Sequence, residues 1–121
     1  FKLINDNFGH NAGDEVLQFL AYRMNRVTRE EDYIIRLGGE EFAIVMPNTL
    51  LEEAYRIAEI LRKDIESTLP PTNKAITISS GVGEYKYKAE AISSFMDRID
   101  QALYKAKSNG RNQTIISKYS K

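Results

Sequence analysis

The chain has 121 residues, of which 42% are hydrophobic and 28% charged, and its seventeen Lys and Arg balance seventeen Asp and Glu. That balance excludes a broad basic surface for nucleic acid and electrostatic docking on a membrane, and the apolar content is too high for a disordered segment. With no Cys and a single His, disulfides, thiol catalysis, Cys-ligated zinc and multi-His metal sites are excluded too.

Phe1 to Phe8 reads as a short helix stopped by Gly9. Asn11 then serves as N-cap of a longer helix, with Asp14 and Glu15 in the first turn, where the positive dipole end favours them. Val16, Leu17, Leu20, Met24 and Val27 recur at helical spacing and give that helix one buried face. Tyr33–Arg36 and Phe42–Met46 are short β-rich runs. Between them Leu37-Gly38-Gly39-Glu40-Glu41 is a hairpin signal, because paired glycines supply the positive φ of a tight turn. Thr49-Leu50-Leu51-Glu52 has the form of a capping box opening the next helix, whose apolar face is Leu51, Ala54, Ala58, Leu61 and Ile65. After the loop at Pro70-Pro71, Ala75–Gly83 alternates as a strand. Ile92 to Ala106 is the last helix, stopped at Asn109-Gly110, and Thr114–Ile116 is a final strand. Four helical and four extended stretches interleaved on this scale predict an α/β or α+β domain with helices covering a central sheet.

Four clusters carry polar chemistry. In Gly38-Gly39-Glu40-Glu41, two adjacent carboxylates at a tight tip repel each other but suit a hard cation shared with substrate phosphates; the bland alternative is a solvated acidic hairpin. Asn5 to Asp14 sets amides, carboxylates and two glycines around a helix start, a natural anion site. There Asn5 and Asp14 offer groups able to read a guanine edge, or Asp14 merely caps its helix and His10 lies in a surface loop. Lys105, Lys107 and Arg111 either complement the last helix's dipole or clamp a phosphate. Arg29 and Asp32 are either a solvated intrahelical pair or a guanidinium and carboxylate presented to a ligand.

The blocks Phe1-Lys2-Leu3-Ile4-Asn5-Asp6, Phe8-Gly9-His10, Ala12-Gly13-Asp14, Arg36-Leu37-Gly38-Gly39-Glu40-Glu41-Phe42, Ile76-Thr77-Ile78-Ser79-Ser80-Gly81-Val82 and Ala102-Leu103-Tyr104-Lys105-Ala106-Lys107-Ser108-Asn109-Gly110-Arg111-Asn112 stand in fixed order. In order and spacing they resemble the GGDEF-type diguanylate cyclase domain over essentially the whole chain. The resemblance implies a palm-like, mainly antiparallel sheet flanked by helices. It also implies condensation of two GTP into cyclic di-GMP with release of two pyrophosphates, by two domains meeting face to face as a homodimer.

By that resemblance Gly38-Gly39 lies against the nucleotide. Glu40 is a metal ligand and proton acceptor for Mg²⁺ or Mn²⁺, and Glu41 is its acidic neighbour. Asn5 and Asp14 read guanine, His10 sits in the same nucleotide-binding loop, and Lys2, Lys107 and Arg111 contact phosphates. Arg29 and Asp32 match the product-binding inhibitory motif, although the position of its usual third member holds Ile60, with Arg56 one turn away. The turn reads GGEEF in place of GGDEF.

A further metal-binding Asp of the family lies on a strand just upstream of the Phe-Lys pair. The expectation is therefore a single catalytic domain without that strand and its preceding helix, inactive alone and joined in its parent to an upstream regulatory domain. A cytoplasmic setting is expected, since no apolar run approaches the ~18 residues of a membrane helix, though the parent could be membrane-anchored elsewhere. The alternative function is a non-catalytic cyclic di-GMP receptor acting through Arg29 and Asp32.

Overall fold

Hydrophobic alternation and helical spacing resolve into β1 (Lys2–Phe8), α1 (Asp14–Val27), β2 (Tyr33–Gly38), β3 (Glu41–Met46), α2 (Leu51–Ser67), β4 (Ile78–Glu84), α3 (Ile92–Ser108) and β5 (Thr114–Ser117). The structure, a computed structural model, describes residues 2–8, 13–68, 70 and 75–119, with the backbone alone at 2, 3, 5, 7 and 8. The strands form one sheet in the order β2-β3-β1-β4-β5, antiparallel throughout except for the parallel β4–β5 pair. The mainly antiparallel, helix-flanked architecture is the one expected.

Two faces of the sheet collect different helices. Ile4, Phe42, Ile44, Met46, Ile78 and Val82 project from one face into the main core, where they meet Val16, Leu20 and Met24 of α1 and Ala54, Ala58, Leu61 and Ile65 of α2. On the other face Ala43 packs with Phe95 and Ile99 of α3. α3 lies flush on β4: a Cβ at Gly81 would stand 2.5 Å from the Ile99 carbonyl oxygen and 2.8 Å from the Leu103 nitrogen. Only a glycine admits the helix backbone this close.

Two local expectations fail, each for a tertiary reason. The segment read as a helix over Phe1–Phe8 is instead the central strand β1, paired antiparallel with both β3 and β4. Hydrogen-bond ladders on both edges outweigh local propensity, and the position between β3 and β4 is filled by this segment. One consequence is a fully buried Asp6, whose Oδ1 accepts from Ser80 while Oδ2 has no partner among the described residues. Burial raises its pKa to about 7, only partly opposed by the Ser80 hydrogen bond.

The capping box at Thr49 is not formed. α2 has Leu50 as N-cap with no side-chain cap, and the Thr49 hydroxyl is taken up by the Pro47 carbonyl and the Arg29 guanidinium. A neighbouring carbonyl and a guanidinium twenty residues away thus outcompete the local cap. The longer helix begins with Gly13 as its N-cap and keeps Asp14 and Glu15 in its first turn, whereas Asn11 lies outside the described residues.

Candidate active site

The Gly38-Gly39-Glu40-Glu41 turn joins two strands whose register shifts between Arg36 and Gly38. That irregularity needs unusual backbone: Gly38 has φ +149° and Gly39 φ +51°. A Cβ at either would meet no atom of the described residues within 4 Å, so backbone geometry selects glycine here. Arg36, to which sequence reasoning assigned no role, holds the turn. Its Nε and Nη2 donate to the Gly39 carbonyl at 3.1 and 2.7 Å.

Glu40 is half-buried, and its Oε2 is enclosed with no hydrogen-bond partner among the described residues. An anionic oxygen withdrawn from water is costly unless a cation or donor meets it. Glu41 stands near Asp100 of α3, whose acid is raised by burial and then by the charges of Glu41 and Asp97. Sequence reasoning missed Asp97 and Asp100. Their three-residue spacing along α3 was the available signal, but only the packing of α3 on the sheet brings Asp100 near the turn. Among the described residues no three carboxylates or imidazoles converge into a complete metal cage. The orphaned Glu40 oxygen beside a second carboxylate fits one or two ligands of a hard cation whose shell is completed by other oxygens.

Of the nucleotide-reading candidates, Asn5 lies mid-way along β1, its backbone in register with Ala43 and Gly81. Asp14 is exposed in the first turn of α1. Lys2 opens β1, in register with Met46 and Glu84, and His10 lies outside the described residues.

At the other end of α3, Lys105 and Lys107 occupy the last turn. The helix closes with Arg111 N–H donating to the Ala106 carbonyl at 2.9 Å and Gly110 N–H to Lys107 at 3.4 Å, with Gly110 at φ +109°. This is the Schellman arrangement, which requires one left-handed residue. The backbone nevertheless stays left-handed at Arg111 (φ +63°) and Asn112 (φ +49°). For a long side chain like that of Arg111 the cost is roughly 1–2 kcal/mol.

Arg29 and Asp32 lie in the connection after α1, not within it, so they are not an intrahelical pair. Asp32, with no side-chain exposure, accepts from the Arg29 backbone N–H, from Nε at 3.3 Å and from Nη2 at 2.9 Å. Nη2 also reaches the Pro47 carbonyl and Thr49. The pair is thereby a staple between the entry to β2 and the β3–α2 turn. It borders a groove of about 630 Å³ that also takes in Asn25, Thr28 and Arg36. On α2, Ile60 is exposed and the Arg56 guanidinium forks onto Glu53.

A family model described as diguanylate cyclase, GGDEF domain, matches residues 1–113. Among curated relatives, diguanylate cyclase A of Treponema denticola is 43% identical over 98% of this chain and 33% of its own length. A diguanylate cyclase of Vibrio cholerae is 45% identical over 99% of this chain and 38% of its own. The chain thus spans little more than a third of these relatives. Among solved structures, the active GGEEF domain of a diguanylate cyclase from Vibrio cholerae superposes with a TM-score of 0.87 at 36% identity, covering 98% of this chain and 83% of that one. The GGDEF domain of DgcB from Caulobacter crescentus in complex with c-di-GMP gives 0.84 at 32% identity, covering 96% and 77%.

Proposed function

The chain belongs to the GGDEF diguanylate cyclase domain family, and on that premise we propose that it is a catalytic domain joining two GTP molecules into cyclic di-GMP. The observation that carries this reading is the intact acidic turn, with Gly39 left-handed and one Glu40 carboxylate oxygen enclosed and unpartnered among the described residues. A solvated ornamental hairpin would have no reason to withdraw a carboxylate oxygen from water.

In each half-reaction the 3′-oxygen of one GTP attacks the α-phosphorus of the other. A bond to that phosphorus forms, the bond to the bridging oxygen of the β-phosphate breaks, pyrophosphate leaves, and the hydroxyl proton goes to a carboxylate. Performed twice, this closes the ring and releases two pyrophosphates. Glu40, with Glu41 beside it, is the group assigned to hold Mg²⁺ or Mn²⁺, which when bound would offset the triphosphate charge and favour the 3′-oxyanion. Glu40 is also assigned to take the proton. Gly38 and Gly39 are assigned to let a phosphate chain approach the turn. Lys2, Lys107 and Arg111 are assigned to the phosphates, and Asn5 and Asp14 to the guanine edge, with His10 in the same loop. Each domain holds one GTP, so turnover requires a homodimer with the two turns facing each other.

Cyclic di-GMP binding at Arg29 and Asp32 is the second reading, favoured by the groove they border and by the c-di-GMP complex of the DgcB relative. Since Asp32 is saturated by Arg29, ligand must exchange with that pair, and without an Arg at Ile60 the site is weaker. Incubating the full-length protein with GTP and Mg²⁺ and chromatographing the nucleotides decides between the readings. Cyclic di-GMP with two pyrophosphates is expected. Unchanged GTP together with calorimetric binding of added cyclic di-GMP would overturn catalysis in favour of the receptor.

A further inference from the structure

The left-handed run at the end of α3 extends further than helix termination requires. Gly110 alone satisfies the Schellman closure, yet Arg111 and Asn112 continue with positive φ. Backbone strain persists only where surrounding contacts over-determine it, and its location is a pointer to function. The contacts that hold this run come mostly from α2.

Asn112 Oδ1 accepts from Arg62 Nη1 at 3.1 Å, while its Nδ2 donates to Glu66 at 2.7 Å. Arg62 is itself fixed by Glu59, through Nε at 2.7 Å and Nη2 at 2.8 Å. The Asn112 N–H donates to the Ser79 hydroxyl of β4, and Gln113 Nε2 bridges the carbonyls of Asn109 and Arg111. Three side chains, Arg62, Glu66 and Ser79, thus hold Asn112, and Gln113 holds the carbonyls of Asn109 and Arg111. Arg111 itself is exposed and forms no ion pair among the described residues. A part-buried network anchored on Arg62 thus holds the disfavoured backbone that carries a solvent-facing guanidinium.

We propose that Asn112, held by Arg62 and Glu66, is a positioning residue that fixes Arg111 for the triphosphate of the nucleotide. The inference rests on the assignment of Arg111 to a phosphate. Asn112 acts through Arg111 and does not touch substrate. It converts a flexible helix-end cation into a pre-oriented one, so that less rotamer and backbone freedom is lost on binding.

Asn112→Gly is the discriminating variant, because glycine keeps the left-handed backbone accessible while both side-chain contacts disappear. In the full-length protein, affinity for a non-hydrolysable GTP analogue is measured by calorimetry and affinity for guanosine by NMR titration. Asn112→Gly is expected to weaken the analogue about five- to tenfold, the loss of one or two hydrogen bonds, and to leave guanosine unchanged. In an Arg111→Ala background the same change should add nothing further. Equal losses for both ligands, no loss at all, or a full additional loss beside Arg111→Ala would overturn the positioning role. An Arg111→Ala variant that binds the analogue as well as the parent would instead overturn the phosphate assignment beneath it. If Asn112→Gly does not fold, Arg62→Lys, which keeps the charge but cannot fork onto Glu59 and reach Asn112 together, is judged by the same criteria.

Discussion

The contact between α3 and β4 sets a test of how the site is held. Gly81→Ala places a methyl group 2.5 Å from the Ile99 carbonyl oxygen, 2.8 Å from the Leu103 nitrogen and 3.1 Å from the Ala102 Cβ. Two of the three obstacles are helix backbone, so no rotamer change relieves them. To regain ordinary contact α3 must retreat by about 0.6–0.9 Å, loosening Phe95 and Ile99 against Ala43. Overpacking of this kind costs about 1–3 kcal/mol, and a rigid obstacle puts this site at the upper end. For a domain of this size the melting temperature should fall by roughly 10 °C. Urea unfolding followed by circular dichroism gives the measurement, with Gly13→Ala as control. Gly13 has φ −76° and, among the described residues, nothing within 4 Å of its Cβ position, so that change should cost no more than about 1 kcal/mol, the penalty of Ala at an N-cap. Because α3 carries Asp100 and Lys107, Gly81→Ala should also lower nucleotide affinity. If the Gly81 and Gly13 variants unfold at the same urea concentration with the same slope, α3 is not docked through the glycine and the reasoning fails.

Glu40→Ala in the full-length protein should reduce cyclic di-GMP synthesis at least a hundredfold while leaving the fold intact, since the truncation opens no core cavity; retained turnover in Mg²⁺ would remove Glu40 from the chemistry. Asp6, raised to about 7 by burial, is best tolerated as the neutral acid, so its favourable contribution is full below the unfolded value near 4 and is lost as pH rises to about 7. The loss is on the order of 4 kcal/mol at ~1.4 kcal/mol per pKa unit, and Asp6→Asn should flatten the stability profile between pH 4 and 8; denaturation curves with identical pH dependence would exclude a buried Asp6. For base choice, Asn5 and Asp14 reading a guanine edge should favour GTP over ATP by roughly 1–3 kcal/mol, and equal calorimetric affinities would refute that assignment.

The apolar periodicities of α1, α2 and α3, the Gly38-Gly39 turn and the stop at Asn109-Gly110 were legible in the sequence, because each is set by local steric and hydrophobic rules that the tertiary structure had no reason to override. The acidic turn and the blocks around it carried the family resemblance for the same reason: a tight turn bearing carboxylates is written in consecutive residues. What the sequence did not contain was which segment would complete the sheet. Lys2–Phe8 has helix-like apolar spacing, yet two long ladders draw it between β3 and β4 and bury Asp6 with it. Thr49 offers a cap but finds Arg29 and Pro47, eighteen or more residues from Arg29 in sequence. Asp100 reaches Glu41, and Arg62 reaches Asn112 across 50 residues. Such long-range pairings depend on loop closures and helix placements whose energies are summed over the whole core, so only the folded structure decided them.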